Sequence, residues 1–153
     1  MTAAPAAGSR PEFRVRVPFA TRWNDNDQYG HVNNTVYYEA MDTAVNSWMI
    51  AAAGLDPAGG GAIALCAASS CEFRASASFP EPLEVGLAIE RLGTTSVTWS
   101  LGILRDRGDG GAPGDDDPIA TGRFVHVFVD AATRRPTPVP ASVRTAIEEH
   151  LLP

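Results

Sequence analysis

The sequence predicts an α+β domain, on three observations made in order along the chain. A short stretch with strand periodicity comes first, a single long amphipathic helical pattern follows, and the remainder reads as successive antiparallel strands. At 153 residues, 44% of them hydrophobic, the chain can bury one core, and length gives no case for a second domain. Residues 1–11, rich in Ala, Pro and Gly, are expected to form a loose flexible tail, and residues 12–153 a single domain.

Phe13, Val15, Val17 and Phe19 alternate with Arg14 and Arg16, the period-two pattern of a half-buried first strand. Residues 24–30 are dense in turn formers, and Asn33 or Asn34 is placed to cap a helix opening at Thr35. From Thr35 to Ala53 the apolar set Tyr37, Met41, Ala44, Val45, Trp48 and Ala52 recurs at intervals of three and four, with Glu39, Asp42, Thr43 and Asn46 opposite. Gly54 and Pro57 end that helix.

Beyond it, Leu83, Val85, Leu87 and Ile89 alternate with Glu84, Gly86, Ala88 and Glu90, and Val97, Trp99, Leu101 and Ile103 with Thr98, Ser100 and Gly102. Turns at residues 79–82 and at Gly93-Thr94 separate neighbouring strands. Ile119 to Val129 reads as a further strand, Gly61 to Ser78 as one or two more, and Val143 to Leu152 as a short closing helix. Residues 105–118, with Gly108, Gly110, Gly111, Pro113 and Gly114, are too polar and glycine-rich to pack and read as a mobile hairpin loop. The run Asp115, Asp116, Asp117 within it lacks the alternating oxygen ligands and closing Glu of a calcium loop, so it reads as solvated.

A formal charge of −6 gives no positive field to attract nucleic acid or anionic lipid, and nucleic-acid partners are disfavoured. No apolar run reaches membrane-spanning length and no basic segment precedes an apolar stretch near the start, so we expect an unexported, cytoplasmic protein without membrane partners. Cys66 and Cys71 stand five apart, which on a continuous strand puts them on opposite faces. They read as two reduced thiols, with no support for a disulfide or a metal site.

The densest polar cluster runs from Arg22 to Asn34, followed by Tyr37, between the first strand and the helix start. A helix amino terminus offers unpaired N–H groups and partial positive charge, able to polarise a carbonyl. A carboxylate across a tight glycine turn reaches the same atom as nucleophile or as base for water.

The run Asp27-x-x-Gly30-His31-Val32-Asn33-Asn34-x-x-Tyr37, with the later Phe79-Pro80-Glu81-Pro82-Leu83 turn, resembles the signature of hot-dog-fold acyl-CoA thioesterases of the 4-hydroxybenzoyl-CoA thioesterase superfamily. The resemblance covers nearly the whole chain and is sharpest over residues 22–38. It implies an antiparallel sheet wrapped around one long central helix, with active sites at the interface of a homodimer, often within a homotetramer. It implies hydrolysis of an acyl thioester of CoA, or of acyl carrier protein, to the free acid. No cofactor is implied beyond the CoA of the substrate.

Carried over by position, the resemblance puts the catalytic carboxylate on Asp27 and the oxyanion-polarising amide on the backbone N–H of Asn34. Ser76 is the nearest match for a hydroxyl that some members supply from the adjacent subunit's strand. Asp25 reads as a turn residue or an ion-pair partner of Arg22, and Glu39 is a rival carboxylate on the helix itself. His31 has a positioning role, since no triad assembles around it; His126 and His150 read as structural. Gly30 supplies the turn, and Asn33 and Tyr37 either shape the acyl pocket or cap the helix and fill the core. Arg74, Arg91 and Arg123 are candidate contacts for CoA phosphates. Two other readings compete: a hot-dog hydratase or dehydratase, and a module that binds acyl thioesters or proteins without turnover.

Overall fold

The computed structural model describes residues 11–106, 108 and 117–153. The expected tail up to residue 10, and most of the expected mobile loop at 105–118, lie outside the described residues. The chain runs β1 (Val15–Ala20), a 3₁₀ turn (Trp23–Asp25), α1 (Asn34–Ala53), β2 (Ala62–Phe73), β3 (Pro82–Leu92), β4 (Ser96–Arg105), β5 (Ala120–Asp130) and α2 (Ala141–His150). The five strands form one antiparallel sheet in the order β1-β3-β4-β5-β2. The segment 61–78, open to one or two strands by sequence, holds the single long strand β2. The closing helix starts two residues earlier than expected.

Asn33 caps α1: its side-chain oxygen accepts the Thr35 N–H at 3.0 Å, and Gly54 ends the helix in the left-handed conformation at φ 66°. The buried stripe is Tyr37, Ala40, Met41, Ala44, Val45, Trp48 and Met49. Ala52, expected on that stripe, is exposed, and Met49 takes its place. Ala52 lies one residue from the end of the helix, and its methyl group does not reach the core that the longer Met49 side chain enters. Each large side chain of the stripe contributes about 1.5–3 kcal/mol by leaving water. Trp48 meets Trp99 of β4 edge to face, ring centroids 5.9 Å apart, and α2 closes one end of the core with Val143 and Ile147. No described helix is long and apolar enough to cross a membrane.

Two expectations about faces are corrected. Val15, Val17 and Phe19 pack on the helix side of the sheet, as the alternation demands, but Phe13 lies with Ala88 and Leu104 in a separate cluster. The reason is the bare surface at Gly86 and Gly102, where the ring of Phe13 occupies the space that side chains would fill. The two cysteines, expected on opposite faces, stand on the same one. A β-bulge between Cys66 and Ala68 adds one residue, so Cys66 pairs with His126 and Cys71 with Gly122, both on the same face of β5. Both thiols are free, Cys66 exposed and Cys71 half-buried with its pKa pushed up to about 11 by burial.

His126 projects from β5 toward α1 and is 1% exposed, in ring contact with Trp99 and Phe124. Among the described residues neither ring nitrogen has a hydrogen-bond partner, and Nε2 lies 3.6 Å from Oδ1 of Asp42. Burial lowers its pKa below the ordinary 6.5, with the Asp42 carboxylate acting in the opposite direction.

Two outcomes follow from this packing. A Cβ on Gly86 would stand 2.5 Å from Cγ of Phe13, so Gly86→Ala should cost about 1–3 kcal/mol in chemical denaturation. Adding Phe13→Ala should recover part of that loss, and strictly additive costs would contradict the contact. For His126, the unfolded chain binds the extra proton as pH falls through about 6.5, while the folded chain resists it. Stability should therefore decline below about pH 6.5 until the lower folded pKa is passed. Melting curves of the wild type should fall more steeply with acid over this window than those of His126→Leu, and parallel curves would count against a depressed pKa.

Candidate active site

The polar cluster folds into a series of short closures between β1 and α1. Arg22 opens the 3₁₀ turn, and Asp25, 1% exposed, accepts the Arg22 backbone N–H at 2.7 Å and its guanidinium at 2.9 and 3.1 Å. The hydrogen bonds from Arg22 to Asp25, and the charges of Asp25 and Glu39, raise the guanidinium pKa. Of the two readings open for Asp25 in the sequence, turn residue or ion-pair partner of Arg22, the structure shows the ion pair. The backbone of Asn33 donates to the Asp25 carbonyl at 2.8 Å, and Asn26 bridges Val32 in antiparallel fashion.

These contacts pinch off a five-residue turn that carries Asp27. Its N–H donates to the His31 carbonyl at 2.9 Å, its carbonyl accepts from Gly30 at 3.1 Å, and its carboxylate accepts the Tyr29 N–H at 2.9 Å. Gly30 sits at φ 82°, where a side chain would be strained. Asp27 and His31 then line an open cleft of about 240 Å³ with Asn34, Tyr37, Phe73 and Ser76. Asn34 is the first residue of α1, so its N–H has no earlier turn of helix to bond and belongs to the positive end of the dipole. Carboxylate and helix amino terminus meet in one cavity.

Of the other expected residues, Tyr37 is buried with its ring 5.7 Å from that of Phe73, between cleft and core. Burial raises its pKa, opposed by a backbone hydrogen bond from Ala77 and by the charge of Arg105, so it presents a neutral hydroxyl. Asn33 caps the helix and does not line the cleft. Ser76 lines the cleft of its own chain, and Arg74, exposed two residues before it, lies 3.9 Å from Glu72. Arg91 is not brought to this place: it sits near the far end of β3, about 30 Å along the strand from Pro82. Arg123 is engaged by both oxygens of Glu90. Glu39 lines a different cavity, between β1 and α1, and lies 3.8 Å from Arg22.

The sequence reading missed the residues that hold the Asp27 turn from outside: Asn26, Ser78, Glu81 and Arg105. Arg105 pairs with Glu81 and donates to the Ser76 carbonyl at 3.0 Å. The only signal for them was proximity, Asn26 inside the polar cluster and Ser78 and Glu81 around the Phe79-Pro80 turn. Among the described residues no three His, Cys, Asp or Glu side chains gather as a metal site.

The model of the thioesterase-like superfamily matches residues 21–147. The chain belongs to that superfamily. Among solved structures, this thioesterase-like protein is similar to the PA5185 protein of Pseudomonas aeruginosa strain PAO1, at 41% identity over 94% of this chain and 97% of that one, with a TM-score of 0.83. It also resembles the PA2801 protein of the same organism, at 30% identity over 86% and 96% of the two chains and a TM-score of 0.76. A 1,4-dihydroxy-2-naphthoyl-CoA thioesterase from Synechocystis shares its hot-dog fold at 20% identity, 88% and 95% coverage and a TM-score of 0.74. Among curated proteins none matches significantly.

Proposed function

We propose that this thioesterase-like protein hydrolyses acyl thioesters of CoA to the free acid and the thiol, with Asp27 acting on the thioester carbonyl. The observation that carries the reading is the meeting of the Asp27 carboxylate and the amino terminus of α1 at Asn34 in one cleft. A carbonyl oxygen placed at that terminus would have its developing negative charge stabilised by the Asn34 N–H and the helix dipole. Asp27 then has two routes to the same products. As nucleophile it attacks the carbonyl carbon, the C–S bond breaks, and water hydrolyses the resulting anhydride. As base it takes a proton from water, the hydroxide adds to the carbonyl, and collapse expels the thiolate, which takes up the proton.

The paired rings of Tyr37 and Phe73 offer the acyl group an apolar wall. Arg74, exposed near the cleft, is the cation best placed for a CoA phosphate. The Synechocystis neighbour, a CoA thioesterase by name, supports CoA as the carrier, and acyl carrier protein is the alternative.

We assign the working unit as a homodimer, paired along β2. That strand is an edge of the sheet, twelve residues long, with Glu72 as its single charge, and it exposes Leu65 and Phe73. Such an edge is a template for pairing with another copy. Phe73 lies both on this edge and in the cleft, so pairing there would bring a second chain to the site.

Thiol release from a panel of acyl-CoAs tests the activity. The wild type should turn over at least one of them, Asp27→Asn should lower kcat about 10²–10⁴-fold, and Glu39→Gln should leave the rate near wild type. A wild type that releases no thiol from CoA or carrier-protein substrates would favour the non-catalytic binding module; an active Asp27→Asn would move the carboxylate role to Glu39. Sedimentation equilibrium should return twice the chain mass or a multiple of it, and a monomer would remove the paired edge.

A further inference from the structure

Asp27 occupies a turn whose two limbs are fastened from outside by one pair of side chains. Asn26, on the limb before Asp27, donates from Nδ2 to Ser78 Oγ at 2.9 Å and accepts the Phe79 N–H on Oδ1 at 3.0 Å. Ser78 Oγ donates in turn to the carbonyl of Gly30, on the limb after Asp27, at 2.9 Å. A single hydroxyl therefore joins the two limbs. The directions are dictated by the partners: the Asn26 oxygen is taken by an N–H, so its nitrogen faces Ser78, and the Ser78 proton is left for Gly30. Beside this clamp the Val32 N–H donates to the Ala77 carbonyl at 2.8 Å.

The Ser78 segment is itself braced. Glu81 accepts the Ser78 N–H at 3.4 Å and pairs with Arg105, which also holds the Ser76 carbonyl. None of Asn26, Ser78, Glu81 and Arg105 lines the cleft, so the uncharged pair Asn26 and Ser78 can act on a reaction there through the groups they hold.

We infer that Asn26 and Ser78 are positioning residues for the thioester hydrolysis proposed above. Their amide–hydroxyl clamp sets where the Asp27 carboxylate stands relative to the amino terminus of α1. The inference rests on the proposed role of Asp27 for its effect on rate, while the clamp itself stands on hydrogen bonds independent of that role. Displacement of a reacting group by about 1 Å costs up to about 10²-fold in rate, so loosening this turn should be felt in kcat.

Ser78→Ala removes the donor and the acceptor together; kcat should fall about tenfold or more with KM within about twofold of wild type. Ser78→Thr retains the hydroxyl and should restore most of the rate. Asn26→Asp preserves shape but replaces the donor by an acceptor, so the single Ser78 proton is wanted by two groups, and kcat should fall likewise. That variant also carries the test if Ser78→Ala does not fold. Amide hydrogen exchange supplies the readout independent of activity: the Asp27 and Gly30 amides should exchange about tenfold faster in Ser78→Ala, with the interior of α1 unchanged. A kcat within about twofold of wild type in both variants, or a loss confined to KM, overturns the positioning role. Unchanged exchange in the turn overturns the clamp whatever the activity, and a wild type inactive on every thioester overturns the proposed reaction while exchange still decides the clamp.

Discussion

The cleft depends on how α1 is held: one side of the helix must be buried along the sheet while its first turn stays open to solvent. Met41, Val45 and Met49 have no exposed surface, and the helix runs across β1, β3, β4 and β5 on that side. The helix starts on Asn34, directly after the Asn33 cap that takes the Thr35 and Val36 N–H groups, so the Asn34 amide at the head of the helix stands beside the Asp27 turn. A helix entering the sheet one turn later would place its amino terminus about 5 Å away from the carboxylate. The site is therefore a consequence of register between a helix and a sheet, fixed by apolar contacts that take no part in any reaction.

The elements that sequence reading identified are those whose side chains answer to a single period. β3 and β4 alternate cleanly because their helix-facing residues, Leu83, Val85, Leu87, Val97, Trp99, Leu101 and Ile103, all enter one core. The cap at Asn33 and the stop at Gly54 were legible because capping is local chemistry, settled within two or three residues. Where the reading failed, a partner distant in sequence decided the outcome. Phe13 follows the alternation of β1 on paper but goes to the surface left bare by Gly86 and Gly102, and the two cysteines share a face because of a bulge that no pattern announces.

The candidate site divides in the same way. Asp27, Gly30, His31, Asn34 and Tyr37 fall within eleven consecutive residues, and their spacing carried the resemblance that singled them out. Ser78 lies 48 residues from the Gly30 carbonyl it holds, and Arg105 lies 29 residues from Ser76. Neither has a periodicity or a charge pattern to mark it, since one hydroxyl and one guanidinium are unremarkable until the strands bring them round. Arg91 shows the converse: a cation with a plausible use in the sequence, carried by a long strand to the other end of the domain.

The two edges of the sheet are unlike. β1 is short and carries Pro18, which has no N–H to offer a neighbour, whereas β2 is twice as long, contains no proline and carries one charge. A sheet with one receptive border and one blunted border can be extended once by a copy of itself related by a two-fold axis, after which both receptive borders are spent. Growth by strand pairing then ends in a closed object with β1 on both rims, and the indefinite stacking by which exposed strands build fibres has no free end from which to continue.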